Sequence, residues 1–119
     1  MKIKEIKRIV VKIGSSLIVD KDKGVDAKFL NNIGEDILSL RKKGIDTLIV
    51  SSGAIELGKI ELKKTKEKLN LSENQAASSI GQIKLINAWK ESLKKFSLDT
   101  AQILITAEDT ESRKRFLNA

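Results

Sequence analysis

Val10-Val11-Lys12-Ile13-Gly14-Ser15-Ser16 is an apolar run that carries one lysine and then breaks into a glycine and two hydroxyls. Continuous apolar residues are the pattern of a strand buried on both faces, and a lysine near the end of such a strand needs water or an anion close by. Gly14 leaves the backbone open to a ligand's oxygens, and Ser15 and Ser16 add hydroxyl donors at the turn. Together these features describe an anion cradle at the carboxyl end of a sheet. Thr47-Leu48-Ile49-Val50 repeats the design and runs straight into Ser51-Ser52-Gly53-Ala54. If the two strands lie parallel, both turns open on the same edge, which is where open α/β sheets bind their ligands. A strand-end lysine can also snorkel to solvent, and a turn such as Gly14–Ser16 can be an ordinary loop. Two such turns, each after a buried-type strand, are what point to a phosphate or carboxylate site.

Between the two strands, Asp20 to Gly24 is a charged, glycine-terminated loop, and Asp26 is the N-cap of a helix. Phe29, Ile33, Ile37 and Leu40 recur at helical spacing, Arg41, Lys42 and Lys43 occupy the last turn, and Gly44 ends it. This is a crossover helix, and strand, helix and strand form a unit with a parallel, right-handed connection. Gly34 inside the helix costs about 1 kcal/mol against alanine, which predicts close packing against a neighbour.

Beyond the second strand, Ser52 to about Leu62 reads as helix, its first amides directed at the ligand edge. Gly53 to Ile60 has the spacing of a P-loop, but Ile60 stands where a magnesium-binding hydroxyl is needed and the segment reads as helix, so the match is chance. No G-x-G-x-x-G is present. Thr65 to Leu71 is a charged connector, and Ser72-Glu73-Asn74-Gln75 reads as a capping box opening the longest helix. Ala76, Ile80, Ile83, Trp89, Leu93 and Phe96 form its apolar stripe, and Ala77, Ser78, Ser79 and Gly81 a small-residue patch. Patch and stripe together are the candidate for a subunit contact. Ala101–Ile105 reads as a third buried strand, and Thr106 to Asp109 as the cap of a last helix carrying Arg113 to Leu117.

The 119 residues suit one domain large enough to bury a core, with 40% hydrophobic and 33% charged residues. No apolar run approaches the roughly 18 residues of a membrane span, and Met1 to Arg8 lacks a signal-peptide core, so the expectation is a cytoplasmic protein with no membrane partner. Without cysteine there is no thiolate chemistry, and without histidine a zinc site is not expected, so no metal ligands are assigned. Catalysis falls to lysine, carboxylates, hydroxyls and backbone amides. The net charge of +7 admits nucleic acid as a partner. Against it, the lysines are interleaved with acids, and one Trp, three Phe and no Tyr make no stacking platform. A solvated basic surface also favours ATP and acidic metabolites.

The Val10–Ser16 stretch resembles the first strand and phosphate loop of the amino acid kinase family, and Val50–Ile55 resembles its second, substrate-side loop. Gln75–Gln82, Gln102–Thr106 and Arg115–Ala119 are similar to the branch that acts on glutamate, rather than to those acting on acetylglutamate, aspartate or uridylate. The likeness covers nearly the whole chain. It implies an α/β fold, a three-layer α/β/α sandwich with a mainly parallel sheet, here incomplete. It implies transfer of the ATP γ-phosphoryl group to the side-chain carboxylate of glutamate, the first step of proline biosynthesis, with Mg2+ held mainly by the ATP phosphates. On the same basis Lys12 is the catalytic lysine that contacts the transferred group, Lys12, Gly14 and Ser15 bind the ATP phosphates, and Ser52, Gly53 and Ala54 bind glutamate. A homo-oligomer is implied as well. Residues 1–119 are then expected to be the N-terminal, substrate- and phosphate-binding part of a single kinase domain whose nucleotide-binding half lies outside them. Two other readings stay open at this point: a non-catalytic α/β module that keeps the anion loops, and a basic nucleic-acid-binding domain.

Overall fold

The computed structural model describes residues 5–104. In chain order the elements are β1 (Arg8–Ile13), α1 (Ser15–Ile18), β2 (Val19–Asp20), β3 (Gly24–Val25), α2 (Ala27–Lys42), β4 (Asp46–Ser51), α3 (Ala54–Glu61) and α4 (Leu71–Lys94). β1 and β4 pair in parallel from Arg8 opposite Asp46 to Ile13 opposite Ser51, so the strand-helix-strand unit is present as expected. The class is α/β with an incomplete parallel sheet.

The strands differ from the expected burial. Side chains alternate across a strand, and here one face packs inward through Val11, Ile13 and Ile49 while the other is open. Val10, Leu48 and Val50 on that open face are 65%, 53% and 46% exposed. The apolar run is therefore that of a sheet with two apolar faces, of which the helices described cover one.

α2 begins at Asp26, whose carboxylate accepts from the Phe29 N–H at 3.1 Å, and it ends before Gly44, at φ +77°. Leu30, which the Phe29-based spacing passes over, is the fully buried residue of this helix. Gly34 is packed against the Phe96 ring, whose edge lies 2.6 Å from where a Cβ would stand, which is the close approach its presence predicts. The Asp20–Gly24 loop is the turn of a small antiparallel hairpin, β2 with β3. There the Asp20 carboxylate accepts from the N–H groups of Asp22 at 2.8 Å and Lys23 at 3.1 Å. These donors hold the Asp20 carboxyl below its ordinary value.

α4 corrects the sequence reading in three places. Its capping box is Asn70 with Glu73, not Ser72 with Gln75: the Asn70 side chain accepts from Glu73 N–H at 2.8 Å and Glu73 accepts from Asn70 N–H at 3.2 Å. Trp89 and Leu93 of the expected stripe are buried and Phe96 packs on the core, but in the first half of the helix the buried face runs through Ala77, Gly81 and Leu85, leaving Ala76 exposed and Ile83 64% exposed. The reason is α3, which approaches so closely that only small residues fit between: Gly58 faces the Ala77 backbone and Gly81 faces the Ala54 carbonyl. Ala77 and Gly81 of the small-residue patch thus pack against α3 within the chain, while Ser79 is exposed.

The third strand is also corrected. Residues 101–104 carry no strand pairing and are exposed, with Ile103 at 67% and Leu104 at 70%. An apolar run becomes a strand only when a neighbouring edge pairs with it, and no described strand does so here. Ile105, the last helix from Thr106 and the Arg115–Ala119 stretch lie outside the described residues.

Candidate functional site

The last register pair, Ile13 opposite Ser51, brings the ends of β1 and β4 to one edge. Gly14 and Ser15 follow the first strand, and Ser52, Gly53 and Ala54 follow the second. The two loops touch. Ser52 donates to the Ile13 carbonyl from its N–H at 3.3 Å and from its hydroxyl at 3.4 Å. Gly53, at φ +123°, lies where a Cβ would come within 3.1 Å of Val19 Cγ2 and 3.9 Å of Ser15 Cβ. A side chain is barred there by both backbone conformation and space, so Gly53 is the point at which the second loop closes on the first.

Lys12 faces the open side of the sheet, opposite in direction to buried Ile13 and in register with Val50. The ion pairs among the described residues, Lys64 with Glu67 and Glu73 and Lys84 with Glu61, leave it out. Lys12 is thus an exposed lysine one residue before the end of β1, the strand that leads into the first loop. Space beside Gly14 is open, since a Cβ there would meet nothing within 4 Å.

The expected Ser52 helix start moves by two residues. Gly53 is the N-cap of α3 and supplies no side-chain cap, so the first amides of the helix are free of one and face the loop edge. Ser15 and Ser16, expected in a turn, open the single helical turn α1, which returns the chain to β2 beside Gly53. The structure therefore brings Lys12, Gly14, Ser15, Ser52, Gly53 and Ala54 to one edge, with a cation, open backbone and uncapped amides. That set suits an anion, and two loops from two strands suit two anionic groups side by side.

Sequence reasoning named Ser51 in the second turn and Trp89 in the apolar stripe of α4 but passed over the bond between them. Trp89, 4% exposed, donates from its indole N–H to the Ser51 hydroxyl at 2.9 Å, tying α4 to the strand end that feeds the second loop. A buried indole needs an acceptor, which is the signal that could have found it. A separate open cleft of about 310 Å³ beside α1 is lined by Ser16, Leu17, Val19, Lys21 and three acids, Asp20, Asp22 and Asp26. Its acidic lining disfavours phosphate. Among the described residues no helix is long and apolar enough to cross a membrane.

The chain is 48% identical over 118 residues to a glutamate 5-kinase of Brucella abortus, covering 99% of this chain and 31% of that protein. It is 50% identical over 113 residues to the glutamate 5-kinase of Allorhizobium ampelinum, with 95% of this chain and 29% of the relative covered. For the glutamate 5-kinase of Agrobacterium fabrum the figures are 50% over 112 residues, 94% and 29%. The chain thus spans about three tenths of the length of the curated relatives it matches. The profile of the amino acid kinase family matches residues 7–119, and with both strand-end loops inside that match the chain belongs to the amino acid kinase family.

Proposed function

We propose that the protein carrying this chain transfers the γ-phosphoryl group of ATP to the side-chain carboxylate of L-glutamate, giving γ-glutamyl phosphate and ADP, the opening step of proline biosynthesis in the cytoplasm. Residues 1–119 are its substrate- and phosphate-binding part, with nucleotide binding completed outside them and assembly as a homo-oligomer. The observation that carries this reading is the contact of the two loops at one sheet edge, Gly53 against Ser15 and Ser52 on the Ile13 carbonyl. It stands on a chain about half identical to proteins named glutamate 5-kinase.

The residues present fit the phosphates of ATP: an exposed lysine, open space at Gly14 and no carboxylate among the six loop residues named. Bound ATP supplies the phosphoryl group, and magnesium accompanies its phosphates; the described residues offer no group of three or more acidic side chains for a metal. Lys12 neutralises charge on the group in transfer, where a positioned cation acts more strongly than in water. Gly14 and Ser15 hold the phosphate chain beside it. Ser52, Gly53 and Ala54 hold glutamate through the hydroxyl and the uncapped amides of α3. A carboxylate is already deprotonated at neutral pH and attacks phosphorus without a general base, so a chain without histidine lacks nothing for this step. Positioning and positive charge carry the catalysis.

Trapping of the acyl phosphate with hydroxylamine, with ATP and glutamate varied separately, tests this reading. Hydroxamate that depends on both substrates is the expected result. ATP and glutamate binding without hydroxamate would favour a non-catalytic module, and oligonucleotide binding with a steep salt dependence and no affinity for either substrate would overturn the assignment.

A further inference from the structure

We infer that Trp89 is a positioning residue for the glutamate loop, acting through Ser51 on the peptide that joins Ser52 to Gly53; the inference rests on the proposed reading of that loop. The Ser51 hydroxyl has two neighbours. It accepts from the Trp89 indole at 2.9 Å and donates to the Ser52 carbonyl at 3.4 Å. The indole is donor only, so its approach fixes which way the hydroxyl proton points, and the remaining direction is toward the Ser52 carbonyl. In a trans peptide the carbonyl and the following N–H point to opposite sides, and no described peptide is cis. With the Ser52 carbonyl held on the Ser51 side, the Gly53 N–H is directed away from it.

The anchor is rigid at its far end. Trp89 is 4% exposed among Leu57, Leu85 and Leu93 in the core, and α4 is locked against α3 at Gly58 and Gly81. The loop is held at Ser52 by its N–H and hydroxyl on the Ile13 carbonyl, and these bonds leave the Ser52 carbonyl to the Ser51 hydroxyl. A bulky, buried side chain thus sets the orientation of the peptide at the site through the Ser51 hydroxyl.

Trp89→Phe keeps the ring and removes the donor, and Ser51→Ala removes the relay. In the protein carrying this chain, each is expected to raise the KM for glutamate about fivefold, the worth of one neutral hydrogen bond, with the KM for ATP changed less than twofold. Because the two act in one line, the double variant should be no worse than the weaker single one. A packing role alone would lower the melting temperature and leave the two KM values in their original ratio. Wild-type turnover with unchanged glutamate KM in both variants, or effects that multiply in the double variant, would overturn the inference while leaving the proposed reaction standing. Wild-type protein that forms no acyl phosphate would remove the reading beneath it, and the inference with it.

Discussion

Gly81 of α4 lies directly against the carbonyl of Ala54 in α3, so closely that no Cβ fits between them. Ala54 is the first residue of α3 and the last of the candidate glutamate loop. The helix pair therefore fixes where that loop ends, and glycine at position 81 is a condition of the site as well as of the core. The Ala77 backbone bears on Gly58 in the same way one turn further along α3.

Gly81→Ala is accordingly expected to destabilise the fold by about 3 kcal/mol, the upper part of the range for overpacked cores, because backbone and not a pliable side chain stands in the way. Gly34→Ala, where the Phe96 ring is the obstacle, should cost less than that, since a ring can shift. Denaturant unfolding of the two variants reads the difference directly. Equal losses would show that the two helices separate easily.

These contacts mark how far the sequence could be read. Alternation, caps and glycine placement located β1, α2, β4 and the start of α3 closely, because each is decided by neighbours in the chain. The Asp26 cap and the Gly44 stop are of this kind. The face of α4 was legible only as two competing stripes. Bulky residues favoured Ala76, Ile80 and Ile83, and the small ones favoured Ala77 and Gly81; the choice between them was made by α3, a partner that periodicity does not contain. The 101–104 run failed for the same reason, since pairing is a property of two strands. Glycine and hydroxyls after a strand are a local signal, which is why the two loops could be placed together at one sheet edge. The Trp89 to Ser51 bond, 38 positions apart, has no such local signal.

Lys12→Ala, in the protein carrying this chain, is expected to lower kcat by at least 100-fold while the KM for glutamate changes only a few-fold. Lys12 lies near the end of β1 and outside the 52–54 loop, so on the proposed reading its loss removes charge from the group in transfer and not from the bound carboxylate. Steady-state kinetics with both substrates varied gives the split. Unchanged turnover would withdraw the role from Lys12.

Ser52→Ala should act on glutamate alone. Ser52 is exposed and its hydroxyl makes only a long 3.4 Å, part-buried bond to the Ile13 carbonyl, so it is available to a ligand carboxylate at small cost to the fold. A hydrogen bond to a charged group is worth about 1.5–3 kcal/mol, which is a rise of roughly tenfold or more in the glutamate KM. A change confined to the ATP KM would mean that the two loops exchange roles.

The Asp20 turn gives a pH dependence of known sign. Backbone N–H groups of Asp22 and Lys23 lower the folded-state value below the ordinary 3.8. A carboxyl so lowered stabilises the fold while it is ionised. Its contribution is complete above the unfolded value and is lost as pH falls through the folded one. The Asp20 carboxyl resonance should titrate with a midpoint below 3.8, and the hairpin should loosen only beneath that pH. A midpoint at or above 3.8 would show that the turn is open in solution.

The open face of the sheet sets the behaviour of these 119 residues expressed alone. Val10, Leu48 and Val50 form a contiguous apolar strip on two paired strands, each more than two fifths exposed, and among the described residues both strands of the pair keep an unpaired edge. Exposed edges and apolar faces drive association, by strand addition at the one and by burial at the other. The 119-residue chain is therefore expected to sediment as dimers or larger species, and Val10→Lys with Leu48→Lys to shift it toward monomer by placing charge on the strip without touching Lys12 or the loops. The chain spans about three tenths of its curated relatives, so the same preparation is expected to yield no hydroxamate with ATP and glutamate. A stable monomer at high concentration would show that the strip is covered in solution by residues of this chain. A monomer that also formed acyl phosphate would show that these loops, with Lys12 beside them, are sufficient for the reaction.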